Sequence, residues 1–272
     1  MTRRIEKLPT PQGIGVGQTA TLNLPLGPTY HRFDLRLKAA ATGSTAANVP
    51  AADWGDYIDD IRLIVDGDVR IEISAEQLVK RAQFFGYTLQ AGVLPLFLSM
   101  PWARTMGGED QTAYGTAGGM SSFTLEVDFK DSVVLGSFRV YAEQSEPMPF
   151  GPHLRIQRFA KSFSVIGVDE ISDLPRSAYA LLGIDVTSTS IGEVEILANN
   201  NRVHVSDKEI RQSNHVIAER TKQTGMTHLD FMPQGRVNEA MPMALQDFRL
   251  KLDFTTAPAA YDLYLTSIHG NL

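Results

Sequence analysis

Five aspartates cluster in the first half of the chain, around one predicted hairpin: Asp56, Asp59, Asp60, Asp66 and Asp68. Carboxylate oxygens that converge with loop carbonyls are the ligands that Ca²⁺ prefers in proteins. The spacing of these residues does not fit the ligand pattern of an EF-hand loop. Solvated aspartates in a turn are the alternative interpretation. The sequence therefore allows a structural calcium ion here without requiring one.

A second candidate metal pair consists of His228 and Asp230. Residues two apart lie on the same face of a β-strand, so both side chains could reach one ion. The chain has 6 histidines, scattered without an HxH pair, and no third ligand is evident beside these two. The alternative interpretation is an ordinary strand rim, and the sequence leaves the metal question open.

The other sequence patterns do not predict catalysis. The segment GIGVG (residues 13–17) resembles a dinucleotide loop, but the strand-loop-helix context that such a loop needs is missing, which favours a flexible arm. Neither a phosphate-loop GxxxxGK[ST] nor a GxSxG elbow occurs in the sequence. The cysteine count of 0 excludes disulfides, thiolate zinc sites and a cysteine nucleophile. We therefore predict no catalytic residues, no bound cofactor and no enzymatic activity.

Basic residues open the chain at Arg3, Arg4 and Lys7, ahead of a stretch rich in proline and glycine. Residues 1–18 are therefore interpreted as an N-terminal arm. The three cations could contact an anionic surface, and a disordered basic tail is the alternative.

Composition limits the partners. The net charge of −6 at pH 7 argues against a strongly basic nucleic-acid surface, and no direct nucleic-acid binding is expected. No apolar run reaches the length of a membrane span, and the start, MTRRIEKLPTP, does not look like a secretory signal. We expect the protein to be made in the cytoplasm and kept or assembled there.

The elements that would hold these residues occur twice. RIEISAEQL (residues 70–78) is echoed by RVHVSDKEI (residues 202–210), at an offset of 202 − 70 = 132. Each copy predicts a tight polar turn, a short strand, and a helix capped by a serine, Ser74 in the first copy and Ser206 in the second.

Further matches follow in the same order. They are Met100-Pro101 with Met232-Pro233, FTLEVDF (residues 123–129) with FRLKLDF (residues 248–254), FRVY (residues 138–141) with YDLY (residues 261–264) and, more weakly, Leu24-Pro25 with Leu174-Pro175. A repeating unit of this length is a whole domain, so the pattern predicts tandem duplication of one domain.

Many short strands without βαβ alternation are typical of antiparallel sandwiches. Long loops and one short helix in each copy favour jelly rolls, while an immunoglobulin-type sandwich remains the alternative. We predict an all-β chain of two tandem antiparallel eight-stranded jelly rolls. After the arm, the first spans residues 19–148 and the second residues 149–272, joined through the proline-rich segment EPMPFGP (residues 146–152).

Four segments resemble the corresponding stretches of corticovirus-type major capsid proteins, which are coat proteins of bacterial viruses. They are LPLGPTYHRFDLRL (residues 24–37), EISDLPR (residues 170–176), HLDFMPQGRV (residues 228–237) and LQDFRLKLDFTTAPAAYDLYL (residues 245–265). These are structural strands and turns, so the resemblance identifies a fold and a family and carries no catalytic site.

The resemblance implies a double jelly roll that forms homotrimers of nearly hexagonal outline. Such trimers tile an icosahedral shell over an internal lipid membrane that encloses double-stranded DNA. The expected location is the virion, and the expected partners are further copies of the chain, other virion proteins and the lipid. Arg3, Arg4 and Lys7 are then expected to face anionic headgroups of the membrane.

Two other functions stay open. A two-domain jelly-roll carbohydrate-binding protein or glycan-active enzyme would need a concave aromatic site with paired carboxylates or a metal. Trp54 and Trp102 are the only tryptophans, and no carboxylate pair stands out. A minor virion protein at a vertex or spike is the other alternative, which a resemblance spread over the whole chain disfavours.

Overall fold

The computed structural model describes residues 3–131 and 133–270. The chain divides into two compact units: unit 1 ends at Ile156, and unit 2 spans Gln157–Gly270. The boundary predicted after residue 148 lies earlier than this division. The reason is that the proline-rich segment packs with unit 1: the Phe150 amide donates to the Gly118 carbonyl at 2.8 Å, and the Ala117 amide donates to Met148 at 2.9 Å.

Unit 1 is built from two antiparallel sheets. Its strands are β1 (Arg4–Lys7), β2 (Thr19–Asn23), β3 (Thr29–Ala41), β4 (Ala47–Asn48), β5 (Ile58–Val65), β6 (Asp68–Ser74), β7 (Val93–Phe97), β8 (Tyr114–Gly115), β9 (Phe123–Phe129) and β10 (Val133–Ser145). One sheet has the order β1-β10-β3-β4, with β7 and β8 also paired to β3. The other has the order β6-β5-β9-β2.

Unit 2 repeats this plan. Its strands are β11 (His153–Phe163, whose first residues are counted with unit 1), β12 (Gly167–Ile171), β13 (Tyr179–Val186), β14 (Ile191–Ala198), β15 (Asn201–Ser206), β16 (Thr227–Asp230), β17 (Met241–Pro242), β18 (Phe248–Phe254) and β19 (Ala259–His269). One sheet has the order β16-β13-β19-β11, with β17 beside β13, and the other has the order β12-β18-β14-β15.

Alternating side chains explain why these segments form half-buried strands. In β9 and β18, every second residue is buried, from the first phenylalanine to the last. In unit 2 the buried residues of both sheets form one hydrophobic core. In unit 1 the rings of Tyr30 and Phe33 lie 5.5 and 6.1 Å from Phe123 of the opposite sheet. Burial of each such side chain contributes about 1.5–3 kcal/mol, so each unit is a sandwich that closes on its own core.

The two predicted hairpins are confirmed and have matching turns. Asp66 and Gly67, between β5 and β6, have φ angles of 51° and 80°. Asn199 and Asn200, between β14 and β15, have φ angles of 50° and 61°. Two central residues with positive φ make the tight hairpin turn that suits the twist of the strands, and Asp, Asn and Gly tolerate this conformation best. The repeat is therefore visible in backbone conformation as well as in sequence.

A helix follows each hairpin, and one predicted cap is wrong. Ser74 caps α2 (Ala75–Phe84) as predicted, since its hydroxyl accepts from the Gln77 amide at 3.3 Å. The helix after the second hairpin, α4 (Lys208–Ile217), begins one residue later than predicted, and Asp207 rather than Ser206 accepts from its first turn. The remaining helices are α1 (Trp54–Tyr57), α3 (Met106–Asp110) and the 3₁₀ turns Ala51–Asp53 and Val237–Glu239.

The predicted N-terminal arm is not a free segment. Residues 4–7 form β1, which pairs antiparallel with β10. Leu8 is buried, and its amide donates to Val140 at 3.0 Å. The open edge of β10 and a pocket for Leu8 supply partners that the sequence pattern did not reveal. Residues 1 and 2 lie outside the described residues. Among residues 3–131 and 133–270, no helix is long and apolar enough to span a membrane.

Candidate assembly surfaces

Arg3 is held by acidic residues of its own unit. Its guanidinium donates to the carboxylate of Glu143 at 3.1 Å and also contacts Asp110. A cation paired in this way is less available to an external anion, because the partner carboxylates already compensate its charge. The predicted site residues therefore differ in their surroundings, and Arg3 is the one that is paired twice.

Arg4 and Lys7 belong to the exposed strand β1. The Arg4 side chain is 66% exposed and lies 3.6 Å from Glu6, an interaction that contributes little in water. Lys7 and Ile5 are also exposed, and they point to the opposite face because side chains alternate along a strand. One side of β1 pairs with β10. Within the described residues, the other side has no strand beside it.

A second exposed edge lies in unit 2, along β15 and α4. Five large apolar side chains are solvent-exposed there: Val203, Val205, Ile210, Val216 and Ile217. Single exposed apolar residues are ordinary, but a group of this size marks an interaction surface. At the opposite edge of the same sheet, Val165, Ile166 and Val168 are also exposed. Unit 2 therefore presents apolar surface at both ends of one sheet.

The acidic cluster does not converge. Asp66 accepts hydrogen bonds from the backbone amides of Ser121 and Ser122, both at 2.7 Å. These amide hydrogen bonds, first that of Ser122 and then that of Ser121, hold the pKa of the Asp66 carboxyl below its usual value. The carboxylate therefore links the hairpin turn to the segment before β9 through hydrogen bonds.

The other aspartates of the cluster also have different surroundings. Asp68 pairs with Arg70 at 2.9 Å, and Asp59 lies 3.3 Å from Lys130. Among residues 3–131 and 133–270, no three His, Asp or Glu side chains are grouped closely enough to hold a metal ion. The calcium hypothesis therefore rests on the sequence alone.

His228 and Asp230 do not form a strand rim. The His228 ring is buried, with Nδ1 at 2.7 Å from Asp185 Oδ1. Asp230 accepts from Arg220 at 3.0 Å, and both of these side chains are more than nine-tenths buried. The rim interpretation fails because α4 and the loop after it cover β16, and His215 of α4 lies 6.4 Å from His228. The pair contributes to the interior of unit 2.

Neither tryptophan offers a free stacking face of the kind that glycan binding needs. Trp54 is fully buried. Trp102 stacks on Phe85 at 4.1 Å, and the Arg81 guanidinium lies 5.7 Å from its ring. The GIGVG segment is a turn in which Gly13 and Gly17 have φ angles of 73° and 65°. These positions favour structural roles over carbohydrate or nucleotide binding.

The two units share a hydrogen bond from a tyrosine hydroxyl to a proline carbonyl, which the sequence patterns did not predict. The Tyr30 hydroxyl donates to the carbonyl of Pro25 at 2.7 Å, and the Tyr179 hydroxyl donates to Pro175. The weak match between the two Leu-Pro pairs is thus part of a repeated contact that ties each loop to the strand after it. The sequence feature that could have predicted this contact is a tyrosine four or five residues after each proline.

Comparison with known proteins places the chain. Residues 5–145 match the family described as "Viral coat protein P2 N-terminal domain", and residues 153–270 match "Viral coat protein P2 C-terminal domain". The major capsid protein P2 of Pseudoalteromonas phage PM2 is 22% identical over 253 residues, which cover 89% of this chain and 88% of that protein.

Solved structures confirm the predicted double jelly roll. The crystal structure of the major capsid protein P2 from bacteriophage PM2 superposes with a TM-score of 0.85 at 19% identity, covering 98% of this chain and 97% of the other. The crystal structure of the STIV MCP gives a TM-score of 0.68 at 12% identity, with coverage of 98% and 97%. The two family matches together span nearly the whole chain. The chain therefore belongs to the P2 viral coat protein family, as a structural component of a virion capsid and not as an enzyme.

Proposed function

We propose that this chain is the major coat protein of its virion and that it assembles as a homotrimer of nearly hexagonal outline. Such trimers would tile an icosahedral shell. The observation that carries the proposal is the duplication: each chain contains two sandwiches with the same strand plan and matching hairpins. Three chains then supply six similar units, which suits a lattice point with six neighbours.

The exposed surfaces support self-association. Exposed strand edges and apolar patches are normally covered in the working state of a protein. This chain exposes the edge of β1 together with the apolar residues along β15, α4 and β12. Full-length similarity to a protein named a major capsid protein favours this role over that of a minor vertex or spike protein.

Native mass spectrometry of the purified chain tests the trimer directly. The expected species has three times the chain mass of 29.9 kDa at micromolar concentration and neutral pH. Light scattering at the same concentration is the control for dissociation in the gas phase. A species of single-chain mass in both measurements contradicts the proposal.

We further propose that an internal membrane lies beneath the shell and that the basic N-terminus contacts its anionic headgroups. Arg4 and Lys7 carry this proposal, because both are exposed, whereas Arg3 is engaged by Glu143 and Asp110. Each basic residue near an anionic surface contributes about 1 kcal/mol. Deleting residues 1–12 would be a poor test, since it removes β1 and the buried Leu8.

The sharper test replaces charges only. Arg4→Gln/Lys7→Gln should weaken flotation of the protein with phosphatidylserine vesicles, by about tenfold or more if both charges contribute. The matched control is Arg36→Gln/Lys38→Gln, which removes the same two charges from exposed positions on β3. Equal binding by the two variants contradicts the lipid contact and leaves the trimer untouched.

A further inference from the structure

Inside unit 1, the outer edge of β6 is covered by another strand. The first residues of β11, through Ile156, lie beside β6, and Ile156 pairs in parallel with Ile71. Both isoleucines are buried, at 2% and 0% exposure. The ion pair between Arg155 and Asp68, at 3.5 Å, lies next to them. At Ile71, the edge of the hairpin is thus covered by a parallel pairing between two buried isoleucines.

Both partners of this contact have a repeat equivalent. Residues 155–158 read RIQR, and β1 (Arg4–Lys7) reads RIEK, at an offset of 155 − 4 = 151. Ile156 therefore corresponds to Ile5. The placement agrees, because β1 lies beside β10, the last strand of its unit, and β11 lies beside β19, the last strand of the other. On the hairpin side, the offset of 132 relates Ile71 to Val203 of β15.

The equivalents are exposed where the originals are buried. Ile5 is 68% exposed and Val203 is 53% exposed. Both β1 and β15 stand at the end of their sheets, and neither has a second strand beside it within residues 3–131 and 133–270. An uncovered edge with apolar side chains is a template for strand addition. The chain therefore carries both halves of the β6–β11 contact a second time, unused.

The helices show the same difference. Most of the apolar residues of α2 are buried, including Leu78, Val79 and Phe84. In α4, Val216 and Ile217 are 75% and 76% exposed. The hairpin–helix segment of unit 2 thus exposes apolar side chains on both its strand and its helix, whereas the apolar side chains of its repeat in unit 1 are packed.

We propose that β1 of one copy adds as a parallel strand to the free edge of β15 in a second copy, with Ile5 opposite Val203. The contact is heterologous, since it joins two different surfaces. Every copy then uses β1 on one side and β15 on the other, and repetition closes a ring when the rotation allows it. This inference rests on the proposed homotrimer and names the surfaces that would form it.

Because the chain contains no cysteine, a pair of introduced cysteines can test this contact without competing thiols. The double variant Ile5→Cys/Val203→Cys is purified under reducing conditions and then oxidised with copper phenanthroline. Facing positions on neighbouring strands are within the range of a disulfide. Most of the chain should then migrate as a closed covalent trimer on a denaturing gel. The control Ile5→Cys/Val168→Cys places the second thiol on β12, at the opposite edge of the same sheet and with similar exposure, and should stay uncrosslinked.

A charge exchange gives an independent readout. Val203→Asp should convert the native species to a folded single chain, with an unchanged circular dichroism spectrum. Adding Ile5→Lys to the same chain should restore the oligomer through a Lys-Asp pair at low salt. If Val203→Asp abolishes the oligomer and Ile5→Lys does not restore it, positions 5 and 203 do not face each other.

Native mass spectrometry of each sample distinguishes failure of this interface from failure of the trimer. A trimer that neither crosslinks through positions 5 and 203 nor responds to Val203→Asp overturns this interface and leaves the trimer standing. A single-chain species in the unmodified protein overturns the trimer and this interface together.

Discussion

The hairpin–helix segments of the two units have the same backbone plan and opposite surroundings. In unit 1, β6 has a strand on each side, and α2 buries most of its apolar residues. In unit 2, β15 pairs with β14 and with no other strand of the described residues, and α4 exposes Ile210, Val216 and Ile217. Both helices are amphipathic and of equal length, so the difference lies in what covers them.

The comparison separates two states of the same segment, one covered within its own unit and one exposed. A single domain that covers its own edges has no need of partners. In unit 1 the hairpin edge is covered at Ile71 by Ile156 of β11, whereas the equivalent edge of β15 has no second strand beside it within residues 3–131 and 133–270. The exposed surface of unit 2 is therefore the one that the proposed interface would cover.

The largest expected effect tests whether the two edges really differ in burial. Ile71→Ala should lower the free energy of unfolding by about 2–5 kcal/mol, because it leaves a cavity in a packed interior. Val203→Ala, its repeat equivalent, should change it by less than about 0.5 kcal/mol. The measurement is urea unfolding at a concentration low enough to keep the copies apart. Equal losses for the two variants would mean that β15 is already packed within its own chain.

A second, smaller effect concerns one histidine in each unit, the buried His153 and the half-buried His215. Burial, as the largest cause, lowers the pKa of His153 in unit 1 and of His215 in unit 2 to about 4 in each case. The ordinary value is about 6.5, so the unfolded chain binds the proton more readily. Each histidine therefore contributes stability that is fully present above about pH 6.5 and is lost as the pH falls towards 4.

Between pH 6.5 and 5, each histidine should contribute a loss of about 1–2 kcal/mol. The measurement compares urea unfolding at the two pH values for the unmodified chain, for His153→Gln and for His215→Gln. Each variant should show a shallower pH dependence than the unmodified chain. NMR titration of each ring provides the check, and a pKa near 6.5 for either ring contradicts the expected effect.

The smallest effect concerns the helix caps. Ser74→Ala and Asp207→Ala should each lower the free energy of unfolding by about 1 kcal/mol, since each removes the acceptor for an amide of the first helical turn. Ser206→Ala is the control, because Ser206 is not the N-cap of α4 and its hydroxyl instead lies 2.8 Å from His204. Helix content measured by circular dichroism should fall for the first two variants only. A loss of helix content in Ser206→Ala would indicate that Ser206 caps α4, as the sequence predicted.

Much of the architecture could be predicted from local patterns. Alternation of apolar residues identified β9 and β18, and the Asp-Gly and Asn-Asn turns identified the hairpins. These features depend on neighbours in sequence, so one sequence suffices to predict them. The ordered repeat added the tandem organisation, which the strand order of the two units matches.

The surroundings of individual residues could not be predicted in the same way. Arg3 is paired because Glu143 and Asp110, both more than a hundred residues away, lie beside it. Residues 4–7 become a strand because β10 offers an open edge. Asp207 replaces Ser206 as a cap because the helix starts one residue later than the repeat suggests.

Sequence by itself determined that four residues are apolar, Ile5, Ile71, Ile156 and Val203, and it predicted short strands at Ile71 and Val203 alone. Only the tertiary structure decided that Ile71 and Ile156 are buried against each other while Ile5 and Val203 are exposed. The physical reason is that a strand edge is covered by whatever segment the folded chain brings beside it. That contact joins residues far apart in sequence, and the local alternation of side chains is the same whether it forms or not.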